Sequence, residues 1–92
     1  MKDDIRHPSH RDIVARLKRA QGHLLGTIAM IESDRSCADI AQQLYAIEKA
    51  ITNAKKALIH DHIDFCLEAQ LGSDPRKAKD AIAETKLISK YL

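Results

Sequence analysis

The sequence predicts an all-α chain of three helices. Three observations carry that prediction. Apolar residues recur at steps of three and four over two long stretches, the period of a helix with one covered face. Only three Gly and two Pro occur in 92 residues, and none of them falls between Cys37 and Leu71. One Phe, two Tyr and no Trp leave the core to Leu, Ile, Val and Ala, a composition suited to helix packing. No stretch reads as a strand, an internal repeat or a low-complexity tract.

The first helix is expected at about 9–34. Ser9 and Asp12 fit the capping box S-x-x-[DE], with Pro8 just ahead of them. Ile13, Leu17, Ala20, Leu24, Ile28 and Ile31 form one apolar stripe. Gly22 and Gly26 lower helix propensity without breaking the stripe, and a close approach of another helix would explain them. "ESDRSC" breaks the pattern. Asp34 and Ser36 both suit caps, and Ser36 with Asp39 repeats the capping box. The second helix is expected at about 37–70, with a stripe of Ile40, Leu44, Ile47, Ile51, Ala54, Leu58 and Phe65. A helix that long in so small a chain points to an extended bundle. "GSDP" ends it: Gly72 as C-cap, Asp74 as the next N-cap, Pro75 as first helical residue. The third helix, about 75–91, carries Ala78, Ala81, Ile82, Thr85, Leu87 and Ile88.

The length fits a single domain, 1–92, with residues 1–8 as a flexible arm. So small a chain buries a modest core alone, and oligomerisation is expected. The net charge of +2 says little, but its distribution says more. Arg11, Arg16, Lys18 and Arg19 face only Asp12 within 11–23, whereas Asp61, Asp64 and Glu68 have no cation beside them within 59–68. A basic segment suits a polyanion such as DNA, and a solvated helix face is the plainer alternative. No apolar run can span a membrane, and "MKDDIRHPSH" lacks the apolar stretch of a signal peptide. A cytoplasmic location is therefore expected. Cysteines there stay reduced, which favours ligand or redox chemistry over a structural disulfide.

"IHDHIDFC", residues 59–66, concentrates that chemistry. His62 and Cys66 are four apart and share a helix face. His60 points elsewhere, to a supporting or surface role. Cys37 precedes His62 by 25 residues and Cys66 by 29. At about 100° per residue the three fall on one meridian beside the apolar stripe, yet at ~1.5 Å per residue Cys37 and His62 stand roughly 37 Å apart. One unbroken helix cannot gather them. An antiparallel pair of second helices can, placing Cys37 of one chain against His62 and Cys66 of another, twice over by symmetry. Two thiolates and an imidazole suit Cu(I). Zn(II) wants a fourth ligand, and Ni(II) or Co(II) want more nitrogen, which His7 or His10 could supply. The plainer reading of such a pair is two partly buried side chains on a helix. No acid–base pair or substrate cleft suggests an enzyme.

With "ARLKRAQGHLLGTIAMIES" at 15–33, the isolated Cys37 and "QQLYAIEKAITNAKKALIHDHIDFC" at 42–66, the chain resembles the copper-sensing operon repressor (CsoR/RcnR) family of bacterial repressors over nearly its whole length. The resemblance implies antiparallel dimers assembled into disc-like tetramers. It implies Cu(I) held between subunits by Cys37, His62 and Cys66. It also implies operator DNA released when the inducer binds, so that efflux or detoxification genes are expressed. Arg16 matches a DNA-contacting position, with Arg19 a second candidate and Lys18 its neighbour. Lys49, Lys55 and Lys56 supply charge on the second helix, where Asn53 stands in place of the arginine copper sensors often carry. The residue before the first Cys is Ser36 rather than Tyr, and the acidic group that supports the site from the third helix corresponds to Asp80 or Glu84. Two other branches remain as alternatives. One is a Ni(II)/Co(II) sensor, although Ile5 stands where its N-terminal His would be. The other is a thiol or persulfide sensor using Cys37 and Cys66, against which His62 argues. A Met-Lys start argues against the formaldehyde-sensing branch.

Overall fold

Helix α1 spans His10–Glu32 and helix α2 spans Cys37–Asp61. They are seen in a computed structural model that describes residues 9–67 and 74–92, the side chains of 65–67 excepted. The link between them is set by hydrogen bonds that end one helix and start the next. The Asp34 N–H donates to the Ile31 carbonyl at 3.3 Å and the Arg35 N–H to the Met30 carbonyl at 3.0 Å. Asp34 sits in the left-handed region, φ 60°. Together these make a Schellman C-cap with Asp at the position glycine usually holds. Of the two expected caps, Asp34 thus closes α1. Ser36 opens α2: the Asp39 N–H donates to Ser36 Oγ at 3.2 Å. The Asp39 carboxylate pairs with Arg35 at 3.6 Å, so only half of the expected capping box forms.

The capping box expected at Ser9 does not form. Ser9 Oγ is buried without a partner among the described residues, and the Asp12 carboxylate accepts from Arg16 Nε at 2.9 Å. An exposed arginine one turn on competes for that carboxylate.

The chain divides into two compact units, residues 12–54 and a second made of Lys55–Leu92 with the stretch ending at Arg11. In the first, α2 returns along α1, with His23 of α1 hydrogen-bonded to Gln43 of α2. The buried residues are Ile13, Ala20 and Thr27 on α1 and Ile47 and Ala54 on α2. They recur every seventh residue, the spacing that keeps one narrow edge of a helix on its neighbour. Thr27 is 1% exposed, and its hydroxyl donates to the His23 carbonyl at 2.9 Å. The bulky members of the expected stripe lie outside this edge. Leu17, Leu24, Ile28, Ile31, Leu44 and Ile51 are 41–53% exposed. Gly22 and Gly26 have open space where a Cβ would stand, so among the described residues no other helix approaches them closely.

In the second unit, the chain leaves α2 through a π-helical turn, His62–Leu67. The second helix was expected to run on to about residue 70. Its α-helical geometry ends at Asp61 instead, and residues 68–70 lie outside the described residues. Neither Gly nor Pro marks the change; α3 packs against the π turn, and that packing accompanies it. Helix α3 spans Pro75–Ile88 and is followed by a 3-10 turn, Ser89–Tyr91. Its start is as expected, with Asp74 Oδ1 accepting from the Arg76 N–H at 2.9 Å and Pro75 in the first turn. Among the described residues of this unit, Ile59, His62 and Ala81 are buried.

Candidate metal centre and nucleic-acid interface

Cys37 is the first residue of α2, directly after its Ser36 cap, and its thiol is free and exposed. His62 follows the last residue of the same helix and is 8% exposed. Its Nε2 lies 3.2 Å from Thr85 Oγ1 of α3. The Thr85 hydroxyl donates to the Ala81 carbonyl at 2.8 Å. A hydroxyl has one proton, so toward His62 this oxygen accepts. With the Thr85 hydroxyl given to Ala81, the tautomer that suits this contact carries its hydrogen on Nε2 and leaves the Nδ1 lone pair for a metal.

Asp80 and Glu84 are the acidic candidates on α3 for the group that supports the site. Both are exposed, and the side chain that meets His62 is Thr85, one residue further on. The signal for it was present. Thr85 follows the buried Ala81 by one helical turn, and a helical Thr back-bonds to the carbonyl four residues earlier.

Cys66 lies in the π turn, its side chain outside the described residues. A π turn closes on i+5 rather than i+4. Position 66 thus follows His62 by slightly less than one turn, where an α-helix would carry it slightly past one. Both geometries leave the two positions on one side. His60 is exposed. His10 is half-buried, with Nε2 3.8 Å from Asp61 Oδ2, and His7 lies outside the described residues. Among the described residues, no three His, Cys, Asp or Glu side chains gather where they could hold a metal ion.

The basic positions are better assembled. Arg16, Arg19 and His23 of α1 line a groove of about 350 Å³ with Asp12, Ala20, Ala50 and Asn53. All of it belongs to the 12–54 unit. Arg16 and Arg19 are exposed, whereas His23 is held by Gln43. Asn53, the departure from the arginine of copper sensors, therefore faces the same groove as Arg16. Lys18, Lys55 and Lys56 are exposed but do not line it. Lys49 stacks over the Tyr45 ring, 5.3 Å from its centroid. No helix among the described residues is long and apolar enough to cross a membrane.

Three relatives indicate what company the chain keeps. It is 41% identical over 59 residues to the copper-sensing transcriptional repressor CsoR of Mycobacterium ulcerans, a match covering 64% of this chain and 50% of that protein. It is 36% identical over 66 residues to CsoR of Bacillus subtilis, covering 68% and 65%. It is 30% identical over 78 residues to the copper-sensing transcriptional repressor RicR of Mycobacterium tuberculosis, covering 79% and 81%. The chain spans about half the length of the mycobacterial CsoR proteins it matches. No solved structure matches it. The family model described as metal-sensitive transcriptional repressor matches residues 9–90, and the chain belongs to that family.

Proposed function

We propose that this chain is a Cu(I)-responsive transcriptional repressor that acts in the cytoplasm as one domain. Cys37 of one protomer and His62 and Cys66 of its partner hold the inducer. Arg16 and Arg19 meet phosphates of operator DNA. The observation that carries the reading is the relay from Ala81 through Thr85 to the buried His62, which supports an imidazole with Nδ1 as its donor atom. A metal-binding His is commonly held by a second hydrogen bond of this kind. The donor set is soft, as Cu(I) prefers. The copper-sensing function of the relatives points the same way. The exposed apolar face of α1 and α2 supports pairing with a second copy, as an antiparallel dimer and then a disc-like tetramer. Inducer and DNA binding must weaken each other reciprocally if one assembly geometry favours each.

The test is a competition among Cu(I), Ni(II), Co(II) and Zn(II), read as release of an operator duplex selected from a random pool. Cu(I) is expected to release the duplex from the wild type and to leave it bound to Cys37→Ser and His62→Ala. Unchanged operator affinity across a Cu(I) titration would overturn the proposal. Release by Ni(II) or Co(II), lost when His7 and His10 are replaced, would assign the site to those metals. Release by oxidant or polysulfide that survives His62→Ala would assign it to thiol chemistry at Cys37 and Cys66.

A further inference from the structure

The groove of the 12–54 unit brings together Arg16 and Arg19 from α1 and Asn53 from α2, with His23 held by Gln43 at its side. It has one anionic group, Asp12. Asp12 Oδ2 sits 2.9 Å from Arg16 Nε. A carboxylate on the edge of a guanidinium occupies the place a phosphate oxygen takes in the charge-assisted pairs arginine forms with either anion. Both partners are open to solvent, with side chains 64% and 45% exposed for Asp12 and Arg16. The pair is therefore weak and can be displaced.

We infer that the Asp12 carboxylate is a built-in competitor for the phosphate position of this groove, and that it limits how strongly the chain holds DNA. The inference rests on the reading that Arg16 meets DNA phosphates. A phosphate entering the groove must part Arg16 from Asp12 and then lie beside a carboxylate. Both effects lower the affinity for any duplex, whatever its sequence, because the contact is to the backbone.

An acid four residues before an arginine also supports a helix, so the pair has a plainer role. The two roles predict opposite signs. If Asp12 only supports α1, its loss loosens the helix and weakens DNA binding. If it competes, its loss strengthens binding.

The experiment uses the full chain and a random-sequence duplex of about 25 base pairs at about 50 mM salt, where backbone contacts dominate. Asp12→Asn is expected to bind roughly three- to tenfold more tightly than the wild type, with a dependence on log salt steeper by about one. Asp12→Ser is expected to behave alike, and it decides the matter if the Asn variant does not fold. Unchanged or weaker binding by a variant of full helical content overturns the inference. Arg16→Ala separates the two layers. If it binds like the wild type, the DNA reading itself fails. If it binds weakly while both Asp12 variants show no gain, only the competitor role fails.

Discussion

At the scale of single residues, Thr85 has the clearest task. Its hydroxyl has one hydrogen, given to Ala81, and so offers His62 an acceptor only. Thr85→Val keeps the shape and removes that acceptor. His62 is 8% exposed, so its Nε2–H then lacks a protein partner in a site with little water. A buried donor left unsatisfied costs about 1–3 kcal/mol. The ring can avoid part of that by changing tautomer, and then the lone pair moves off Nδ1. Nitrogen chemical shifts of His62 are expected to show a single Nε2–H tautomer in the metal-free wild type and a mixture in Thr85→Val. Metal affinity is expected to fall about 10–100-fold, as when other supporting partners of metal-bound histidines are lost. Thr85→Ser, which keeps the hydroxyl, should restore both. An unchanged tautomer in the Val variant would show that Thr85 does not set it.

At the scale of elements, the sequence was most legible where structure is local. Asp74 with Pro75, and Ser36, were read correctly as helix starts because a cap depends on two or three neighbouring residues. Asp34 was legible as a cap, but which helix it closes was not, since the same residue type suits either side of a four-residue link. Ser9 was misread because its capping box had a rival: Asp12 pairs forward with Arg16. The π turn at His62–Leu67 was not legible at all, since no residue type signals it and α3 lies against it only once the chain has folded. Thr85 showed a local signal, its back-bond to Ala81, but its meeting with His62, 23 residues away, arises only once α3 has packed. The Asp34 position yields a stability prediction. At φ 60° it occupies a conformation that costs L-residues about 1–2 kcal/mol and glycine little. Asp34→Gly should recover part of this, less the entropy glycine adds to the unfolded chain. A gain of about 0.5 kcal/mol, or roughly 2–4 °C in Tm, is expected in thermal unfolding. A lower Tm would mean that the Asp34 side chain contributes more than its backbone costs.

At the scale of the whole molecule, the sequence showed the apolar stripe but not which of its members a single chain covers. Of the stripe in the 12–54 unit, the buried members are Ile13, Ala20, Ile47 and Ala54, seven apart on each helix, and two of them are alanines. Leu17, Leu24, Ile28, Ile31, Leu44, Ile51 and Leu58 stay 41–53% exposed. Large aliphatic side chains left half-exposed along each helix suit cover by a second copy. A second copy is also what a two-chain metal site requires, because Cys37 and His62 sit at opposite ends of α2. Leu44 and Ile51 are seven apart on α2 and half-exposed, so replacing both with Glu costs the separate chain little packing. It places charges wherever a second copy covers that face. Light scattering is expected to give a mass several times 10.3 kDa for the wild type and to move toward 10.3 kDa for Leu44→Glu/Ile51→Glu. Far-ultraviolet dichroism should remain helical, which separates dissociation from unfolding. If the shared site is right, the double variant also loses high-affinity Cu(I) binding, although Cys37, His62 and Cys66 are all present. A monomeric wild type, or a dissociated variant that still binds Cu(I) as tightly, would remove the two-chain site and leave the metal to a single protomer.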